Sequence, residues 1–263
     1  MRIMTCNIRC PWTDDGPNNW DHRKGLCCDV IASREADVVC LQEAFREQLL
    51  DVLAAMDAYD WFGICDRPDG PHPLNAILYR REAFERISAG GYWLSQTPHV
   101  PGSLSWDSAC IRVANWVRLA DRASGRELRI VNTHLDHVSQ VARENQARLL
   151  NEDAAAYPAD YPQILTGDMN ATGDNPAVAS LLTGGWCDTY RAANGDESPG
   201  VTFHEFLGER CAVDYGKIDW IVTRGGMRAT AAEIVRDSRD GRFPSDHYFV
   251  SADVEFTGQP TGA

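Results

Sequence analysis

The sequence predicts an α/β protein in which mixed β-sheets are covered by helices. Its beginning alternates short apolar runs with longer amphipathic segments, as expected for strands followed by helices. After the second helical segment, strand-like runs dominate the order of elements. A purely parallel, doubly wound sheet would alternate strands and helices throughout the chain, so this order favours sheets that contain both parallel and antiparallel pairs.

Short apolar runs that end at Gly, Pro, Asn or Asp predict the strands. The first run ends at Asn7, and the second ends immediately before Gln42 and Glu43. A turn at residues 123–125 predicts a hairpin into the run that leads toward His134. In chain order, the predicted strands cover residues 2–8, 37–41, 75–79, 91–94, 111–119, 127–132, 163–165, 217–223, 230–235 and 248–254.

Apolar residues at helical spacing predict four helices. In the first, Leu26, Val30 and Ile31 form the apolar stripe, and Asp21 is expected to cap the N-terminus. Pro176 suits the first turn of the last helix, where a missing N–H costs no hydrogen bond. The predicted helices cover residues 22–34, 45–56, 139–156 and 176–182, and polar loops cover residues 13–19, 66–73 and 191–200.

The composition is that of a globular protein with a large core, but the net charge of −13 is more informative. Proteins that bind nucleic acid nonspecifically along its backbone usually present a basic face. This chain has no run of Lys or Arg, and its only lysines are Lys24 and Lys217. The charge therefore favours a small phosphorylated partner over a long polyanion. Alternatively, metal ions neutralise a local acidic site and the overall charge only aids solubility.

The nine cysteines indicate reduced thiols of an intracellular protein, and we expect a cytoplasmic location. No C-x-x-C pair occurs, and the adjacent Cys27 and Cys28 have poor geometry for a disulfide. Four other cysteines lie in apolar runs, where cysteine behaves as a small buried hydrophobe: Cys6, Cys40, Cys65 and Cys110.

The chain shows no sign of division into separate units. No linker, repeat or low-complexity segment interrupts it, and the candidate site residues come from both halves. We therefore expect one domain over residues 1–256, followed by a flexible tail over residues 257–263. The N-terminal residues lack a signal-peptide pattern, and no run approaches the roughly 20 apolar residues of a membrane span. No obligate protein partner is evident.

Residues 166–170 are the first candidate for a functional site. They directly follow the apolar run at 163–165, and Gly167 would let the backbone turn sharply as that strand ends. Asp168 and Asn170 are two residues apart, so they would project the same way from extended backbone. Ligand sites in α/β sheets tend to lie at such strand ends. The same residue types also suit an ordinary turn.

Polar side chains recur at the ends of other predicted strands, and each also has a purely structural interpretation. Asn7 would cap a turn, Glu43 would begin the following helix, and His134 would be a satisfied core histidine. Asp219 would belong to a buried ion pair, and the dipeptide 246–247 to a turn.

Together these side chains point to phosphoryl chemistry. Glu43, Asp168 and Asp246 are hard oxygen ligands suited to Mg²⁺ or Mn²⁺, and Asn7 and Asn170 are neutral oxygen donors. Neither H-E-x-x-H nor a paired-cysteine pattern for zinc occurs. Two histidines near several carboxylates would supply the acid, base and positive charge that phosphate ester hydrolysis requires.

Six short motifs follow one another along the chain: TCNIR at residues 5–9, LQE at 41–43, NTHLDH at 132–137, GDMN at 167–170, IDWI at 218–221 and SDH at 245–247. In this order they resemble the endonuclease/exonuclease/phosphatase superfamily, and within it a bacterial subgroup of largely unassigned members. The resemblance covers nearly the whole chain. It implies a DNase I-like fold, a four-layer sandwich of two packed mixed β-sheets flanked by helices.

The resemblance also implies a divalent-metal-dependent phosphoesterase that uses Mg²⁺ or Mn²⁺. Such an enzyme would hydrolyse a phosphate mono- or diester of a small or medium-sized molecule by direct in-line attack of water. The alternatives are a DNA or RNA nuclease of the same superfamily and a non-catalytic binding module. The acidic charge counts against the nuclease. The full set of carboxylates counts against the binding module, because buried carboxylates are costly to keep without an ion.

The resemblance further implies roles for the metal-binding and water-binding residues. Glu43 would be the principal metal ligand, with Asn7 and Asp246 nearby. Asp168 would orient or deprotonate the attacking water. Asn170 would position that water or a phosphate oxygen.

The remaining candidates would face the phosphate. His134 and His247 would contact the scissile group, and Asp219 would hold His247 in its tautomer. Arg112 and His204 belong to motifs of the bacterial subgroup and are predicted to bind substrate. A surface salt bridge is the alternative for Arg112.

One position departs from the superfamily pattern. Relatives carry a Glu just before the strand that corresponds to residues 75–79, where it pairs with the first catalytic histidine. Here residues 72–75 read HPLN and contain no carboxylate. Asn75 and Asp136 are the candidate replacements in supporting His134. We expect activity to be retained, because the predicted metal ligands and the water-orienting carboxylate are intact.

Overall fold

Two six-stranded β-sheets form the centre of the protein in the computed structural model, which describes residues 1–258. Their strand orders are β11-β12-β1-β2-β4-β3 and β5-β6-β7-β8-β10-β9. In chain order the strands are β1 (Arg2–Asn7), β2 (Val38–Gln42), β3 (Tyr59–Phe62), β4 (Ile77–Arg80), β5 (Phe84–Trp93), β6 (Val113–Asp121), β7 (Glu127–His134), β8 (Gln163–Asp168), β9 (Cys187–Asp188), β10 (Asp219–Arg224), β11 (Met227–Val235) and β12 (Phe249–Phe256).

The central pair of each sheet is parallel, β1 with β2 and β7 with β8. The other pairs are antiparallel. Parallel strands need a crossover connection, and a helix supplies it in both sheets. Both sheets are therefore mixed, as the order of elements predicts.

Residues 1–258 contain five α-helices: α1 (Trp20–Ser33), α2 (Arg46–Ala55), α3 (Gln140–Ala155), α4 (Pro176–Thr183) and α5 (Thr189–Asn194). Helix α1 follows Asn19, so Asp21 lies in its first turn and does not cap it. The Ser139 side chain accepts a hydrogen bond from the Ala142 N–H and caps α3. The crossover helices α1 and α3 thus begin soon after the strands that end at the candidate site.

Three apolar clusters separate four layers. Between the sheets, Ile3 and Val38 pack with Leu119 and Ile130 from the opposite sheet. A second cluster lies between the first sheet and helices α1 and α2, and a third between the second sheet and helices α3 and α4. The predicted four-layer sandwich is confirmed.

Four features of the secondary structure differ from the prediction. Strand β3 and the two-residue β9 escape detection because they are short edge strands, and only Tyr59 of β3 is buried. Strand β5 begins at Phe84, well before the predicted residue 91, because residues 85–87 are exposed and lack an apolar pattern. Helix α5 overlaps the segment predicted as loop 191–200.

All nine cysteines are free, as predicted. Cys6 and Cys40 are buried in strands, but Cys65 is half-buried and Cys110 is exposed, because both lie in loops. The structure also orders the start of the predicted tail, since the Thr257 N–H donates to the Gly226 carbonyl at 2.8 Å. Residues 259–263 lie outside the described residues, and one domain over residues 1–256 stays a prediction. Within the described range, none of the helices has the length and apolar character of a membrane span.

Candidate active site

The predicted site residues gather at one edge of the two sheets. The parallel strands β1, β2, β7 and β8 end there, and β10 and β12 begin there because they run antiparallel to their neighbours. A hydrogen bond of 3.0 Å from Asn7 Nδ2 at the end of β1 to Asp168 Oδ2 at the end of β8 joins the sheets at this edge. Strand ends from both sheets can therefore supply a single site.

A cavity of about 790 Å³ opens at this edge. Asn7 and Asp219 lie behind its wall, each hydrogen bonded to a residue that lines it. The predicted site residues that line the cavity are Glu43, Arg112, His134, Asp168, Asn170, Asp246 and His247. The structure thus brings together all of the predicted residues except His204.

Unusual backbone conformations mark the same edge. Arg9, Glu43 and Asn170 have φ angles of 58°, 60° and 46°, in the left-handed region that non-glycine residues rarely enter. Such conformations cluster at functional sites. Gly167 has φ 152°, and a Cβ there would lie 2.2 Å from the Thr133 carbonyl oxygen. Gly167 therefore permits β8 to pair closely with β7, and it does not form the turn that the sequence predicts.

Glu43 and Asn7 form the floor of the predicted metal site. Glu43 Oε1 accepts a hydrogen bond from Asn7 Nδ2 at 3.1 Å, and Oε2 accepts one from the Cys10 N–H at 2.8 Å. Burial would raise the pKa of Glu43, but the hydrogen bond from Cys10 and the charge of His247 outweigh it and lower the pKa. The carboxylate is therefore held ionised and oriented.

The donor set around Glu43 fits a hard divalent cation. Glu43 and Asp246 provide carboxylate oxygens, the ligands that Mg²⁺ and Mn²⁺ prefer. Asn7 turns its Nδ2 toward Glu43, and its Oδ1 accepts a hydrogen bond from the Arg9 N–H at 3.0 Å. Burial raises the pKa of Asp246, and the charge of Glu43 contributes to the rise. Arg9 Nε lies 3.6 Å from Asp246 Oδ2, but it is already hydrogen bonded to Asp15 at 2.9 Å. Negative charge here is incompletely compensated, as expected of a cation site.

Asp168, Asp219 and His247 form a second group in which one possible ligand atom from each lies within 4.8 Å of the others. His247 Nδ1 lies 2.9 Å from Asp219 Oδ2. Burial alone would lower the pKa of His247, but the charge and hydrogen bond of Asp219 raise it to about 10. Binding a metal through Nε2 of this imidazole would cost the imidazolium a proton, although Nδ1 would keep its hydrogen bond to Asp219. The oxygen donors around Glu43 are therefore the better match for a cation.

Asp168, Asn170 and His134 form the third part of the site. Asn170 Nδ2 lies 2.8 Å from His134 Nε2, which is 3.4 Å from Asp168 Oδ2. Burial lowers the pKa of His134 well below its usual value, and the charge of Arg112 adds to this. Neutral His134 therefore accepts the Asn170 hydrogen bond. Burial and the charge of Asp219 raise the pKa of Asp168 to about 7, which suits a base near neutral pH.

The two predicted replacements for the missing Glu do not support His134. Asn75 Nδ2 donates to a backbone carbonyl of β6 at 2.9 Å. Asp136 accepts hydrogen bonds from residues 108–110 and from the start of the following helix. Asn170 supports His134 in their place, because the αL conformation of its backbone brings its side chain back toward β7.

Asp66, from a different part of the chain, brings a carboxylate close to residues 72–75 without contacting His134. An isolated bridge pairs Cys65 with Leu74, and the Asp66 N–H donates to the Pro73 carbonyl at 3.2 Å. The Asp66 side chain lines the cavity. Nothing in the local sequence marks this residue, because its position depends on how the loop 66–73 folds back on itself.

Arg112 is suited to bind an anion in the cavity. It is 8% exposed, and its Nη2 lies 3.3 Å from His137 Nδ1. Its Nε is buried without a hydrogen-bond partner among residues 1–258. A guanidinium with a free donor next to the cavity fits the predicted phosphate contact, and does not fit the alternative of a surface salt bridge.

The structure contradicts the prediction that His204 faces a phosphate. His204 is fully buried, and its ring centroid lies 4.0 Å from that of Tyr248. Its Nδ1 accepts a hydrogen bond from the Gly208 N–H at 3.1 Å. Burial, aided by the charge of His247, lowers its pKa to about 4. His204 is a neutral core residue behind the strand that carries the site.

Other cavity residues escaped the sequence analysis. Arg9 directly follows a predicted strand, and the sequence predicts no role for it. Trp12 and His137 lie in loops that show no periodic pattern. All three line the cavity together with Asp66. A cluster of charged or aromatic residues just beyond a predicted site motif was the only available signal.

Comparison with known proteins places the chain in a family. Residues 4–247 match the model of the Endonuclease/Exonuclease/phosphatase family. Nocturnin of Drosophila melanogaster is 31% identical over 94% of this chain, which spans only 43% of Nocturnin's length.

Solved structures show the same relationship. An endonuclease/exonuclease/phosphatase from Bacteroides vulgatus is 31% identical with a TM-score of 0.88, covering 97% of this chain and 98% of the other. A mannosyl-6-phosphatase from Bacteroides thetaiotaomicron is 26% identical with a TM-score of 0.88, covering 97% and 100%. The human Nocturnin catalytic domain, 21% identical with a TM-score of 0.75 over 98% and 94%, shows a shared fold alone. The chain therefore belongs to the endonuclease/exonuclease/phosphatase family, whose members are metal-dependent hydrolases of phosphate esters.

Proposed function

We propose that the protein hydrolyses a phosphate ester of a small or medium-sized phosphorylated molecule by direct in-line attack of water. One observation carries the proposal. Asp168 and Asn170 line one cavity together with His134 and His247, two histidines in different protonation states. Beside them lie Glu43 and Asp246, whose carboxylate oxygens suit a divalent cation.

Asp168 is the general base in this mechanism. Its pKa of about 7 lets it accept a proton from water near neutral pH. Asn170 fixes the geometry, because its N–H donates to the Asp168 Oδ1 at 2.8 Å while its side chain contacts His134. Water held between these groups is positioned to attack phosphorus.

His247 and Arg112 stabilise the charge that develops on the phosphate oxygens. Asp219 keeps His247 protonated, and Arg112 has a donor without a partner. The Nε2 of neutral His134 accepts from Asn170, so its Nδ1–H is the donor that would orient a phosphate oxygen or the leaving group. Fixed donors in a buried site stabilise such charge without reorganising during the reaction.

Glu43 and Asp246 would hold the divalent cation, Mg²⁺ or Mn²⁺, and Asn7 would orient Glu43 through its hydrogen bond. When bound, this ion would neutralise phosphate charge as a Lewis acid. The nine free cysteines support a cytoplasmic location, where thiols stay reduced.

Two observations favour a small substrate over nucleic acid. The net charge of −13 disfavours a long polyanion. A solved relative at 26% identity is named as a mannosyl-6-phosphatase. Phosphorylated sugars are therefore the first substrates to test.

The test is a substrate screen with Mg²⁺ and with Mn²⁺. It covers sugar phosphates, inositol phosphates, nucleotides, lipid head groups and oligonucleotides. We expect hydrolysis of a small phosphate ester, and a loss of kcat on the order of a thousandfold in Asp168→Asn. Cleavage of oligonucleotides alone, falling steeply with salt, would identify a nuclease instead. An Asp168→Asn protein with full activity would disprove the mechanism.

A further inference from the structure

An exposed indole stands at the cavity, apart from the groups assigned to phosphate and metal. Trp12 is 61% exposed, yet its ring lies 4.6 Å from the ring of Phe45 and 5.7 Å from that of His72, measured between centroids. All three residues line the cavity. Two aromatic contacts thus hold the indole in place while much of its surface stays open to a ligand.

A carboxylate that the proposed reaction does not use lines the same cavity. The backbone of Asp66 is held on two sides, by Pro73 at 3.2 Å and by Trp93 Nε1, which donates to the Asp66 carbonyl at 2.6 Å. Among residues 1–258, the Asp66 carboxylate takes part in no hydrogen bond or ion pair. The backbone of Asp66 is therefore fixed, and its carboxylate is free to accept hydrogen bonds from a ligand.

The charge of Asp66 restricts what that ligand can be. Burial raises the pKa of Asp66 to about 7 and the charge of the nearby Arg112 opposes the rise, so Asp66 is charged above about pH 7. The phosphate site and Asp66 are thus neighbours. A leaving group that carried a second phosphate would meet a carboxylate, whereas hydroxyl groups would donate hydrogen bonds to it.

We propose that Trp12 and Asp66 form the leaving-group subsite, and that the leaving group is a neutral ring bearing several hydroxyl groups, such as a hexose. The inference rests on the proposed phosphoesterase function. The apolar C–H face of the ring packs on the indole, and its hydroxyl groups donate to the carboxylate. An aromatic face with a few fixed polar groups is the usual composition of a small-molecule site.

The experiment compares four probes in Mg²⁺: mannose 6-phosphate and glucose 6-phosphate as rings, glycerol 3-phosphate without a ring, and fructose 1,6-bisphosphate with a second charge. In Trp12→Ala we expect KM for the hexose 6-phosphates to rise about tenfold and KM for glycerol 3-phosphate to stay within about twofold. In Asp66→Asn we expect the preference for hexose 6-phosphate over the bisphosphate to fall about tenfold.

Two control variants match these changes outside the cavity. Val141→Ala removes apolar surface from a side chain with 59% exposure, and Asp29→Asn removes an exposed carboxylate that pairs with Arg239. Neither control should alter the comparison between probes.

The outcomes separate the two proposals. If the wild-type protein hydrolyses phosphate esters but Trp12→Ala affects ring and ringless probes equally, the subsite is wrong and the function stands. If no probe is hydrolysed, calorimetric binding of mannose 6-phosphate to the Mg²⁺-loaded protein decides. Binding weakened by Trp12→Ala would support the subsite without the proposed function, and an absence of binding would overturn it.

Discussion

Asp168 and His247 lie 3.8 Å apart, measured from Oδ2 to Nε2, and their surroundings set complementary protonation states. Burial raises the pKa of Asp168 to about 7, so it loses its proton near neutrality. Asp219 overcomes the effect of burial on His247 and raises its pKa to about 10. Between about pH 7 and about pH 10, ionised Asp168 therefore faces protonated His247. Pairs of titratable groups in such different environments are typical of acid–base sites.

This arrangement predicts the pH dependence of kcat/KM. The rate should rise as the pH increases to about 7, because Asp168 acts only when unprotonated. It should fall as the pH increases through about 10, because His247 stabilises charge only when protonated. A bound cation would favour ionised Asp168 and move the lower limb to lower pH. In Asp219→Asn the upper limb should also move to lower pH, since the carboxylate that raises the pKa of His247 is lost.

Steady-state profiles of the wild-type and variant proteins on the best substrate of the screen check this prediction. Asp29→Asn removes an exposed carboxylate that pairs with Arg239 and should leave both limbs in place. An upper limb that stays near pH 10 in Asp219→Asn would show that Asp219 does not control His247.

At the scale of elements, Asp136 connects the loop before β6 to the start of α3. Its Oδ1 accepts hydrogen bonds from Ser108 Oγ at 3.0 Å and from the Ala109 N–H at 2.9 Å. Its Oδ2 accepts from the N–H groups of Val138 at 3.0 Å and Ser139 at 2.7 Å. The loop that it holds leads directly into Arg112, which we propose to bind phosphate, so Asp136 would position this arginine without reaching the cavity.

We expect Asp136→Asn to raise KM about tenfold with a smaller change in kcat, because an amide NH₂ would face backbone N–H groups and loosen this loop. Steady-state kinetics on the best substrate provide the measurement. Asp121→Asn is the matched control, since Asp121 caps a remote turn by accepting from the Ser124 N–H at 3.2 Å. If kcat falls while KM stays constant, Asp136 acts on the chemical step and not on binding.

Asn132 is a buried polar link between the two sheets beneath the site. It lies on β7, and its Nδ2 donates to the carbonyls of Leu41 at 2.8 Å and Ala76 at 3.1 Å, both in the opposite half of the molecule. Its Oδ1 accepts from Gln42 Nε2 at 2.6 Å. All of these groups are buried, so each would be left without a partner if the side chain were removed.

Asn132→Ala should therefore lower the free energy of unfolding by about 2 kcal/mol, the cost of leaving buried polar groups unsatisfied. Urea unfolding followed by fluorescence measures the change. Asn145→Ala removes an amide that donates only to the Val141 carbonyl of its own helix, and it should change stability by less than about 0.5 kcal/mol. Equal effects of the two variants would show that the link between the sheets adds nothing.

At the scale of the whole molecule, the strands that build the site could be predicted from the sequence alone. Asn7, Glu43 and Asp168 follow apolar runs that are buried on both faces, and such runs stand out without any knowledge of the fold. Short or half-exposed elements such as β3 and β9 lack that contrast.

Tertiary contacts explain the remaining errors. His204 resembles a site histidine in sequence, but it packs against Tyr248 in the core. Asp66 lies beside the segment that lacks the expected carboxylate because its loop pairs residue 66 with Pro73. The sequence offers Asp136 as one of two candidate partners for His134, but the Asp136 carboxylate accepts hydrogen bonds from backbone N–H groups of two loops. Each of these positions depends on contacts that local residue patterns do not encode.

The concentration of carboxylates at one edge also affects the stability of the whole protein. Burial and the mutual repulsion of Glu43 and Asp246 raise the pKa of Asp246, which is an energetic cost while no cation is bound. Mg²⁺ or Mn²⁺ that binds the folded state should remove this cost. At a free metal concentration about 100 times Kd, mass action would stabilise the fold by about 2.7 kcal/mol. For a chain of this length, that corresponds to a rise in Tm of roughly 5–10 °C.

Thermal unfolding with EDTA and with saturating Mg²⁺ tests this prediction. Glu43→Gln should abolish the shift in Tm, because it removes the principal carboxylate of the proposed cation site. Glu47→Gln is the matched control, since Glu47 lies exposed in the first turn of α2 and should leave the shift intact. A wild-type Tm that does not respond to Mg²⁺ or Mn²⁺ would contradict the cation site. A shift that persists in Glu43→Gln would move that site to Asp168, Asp219 and His247, whose possible ligand atoms lie within 4.8 Å of one another.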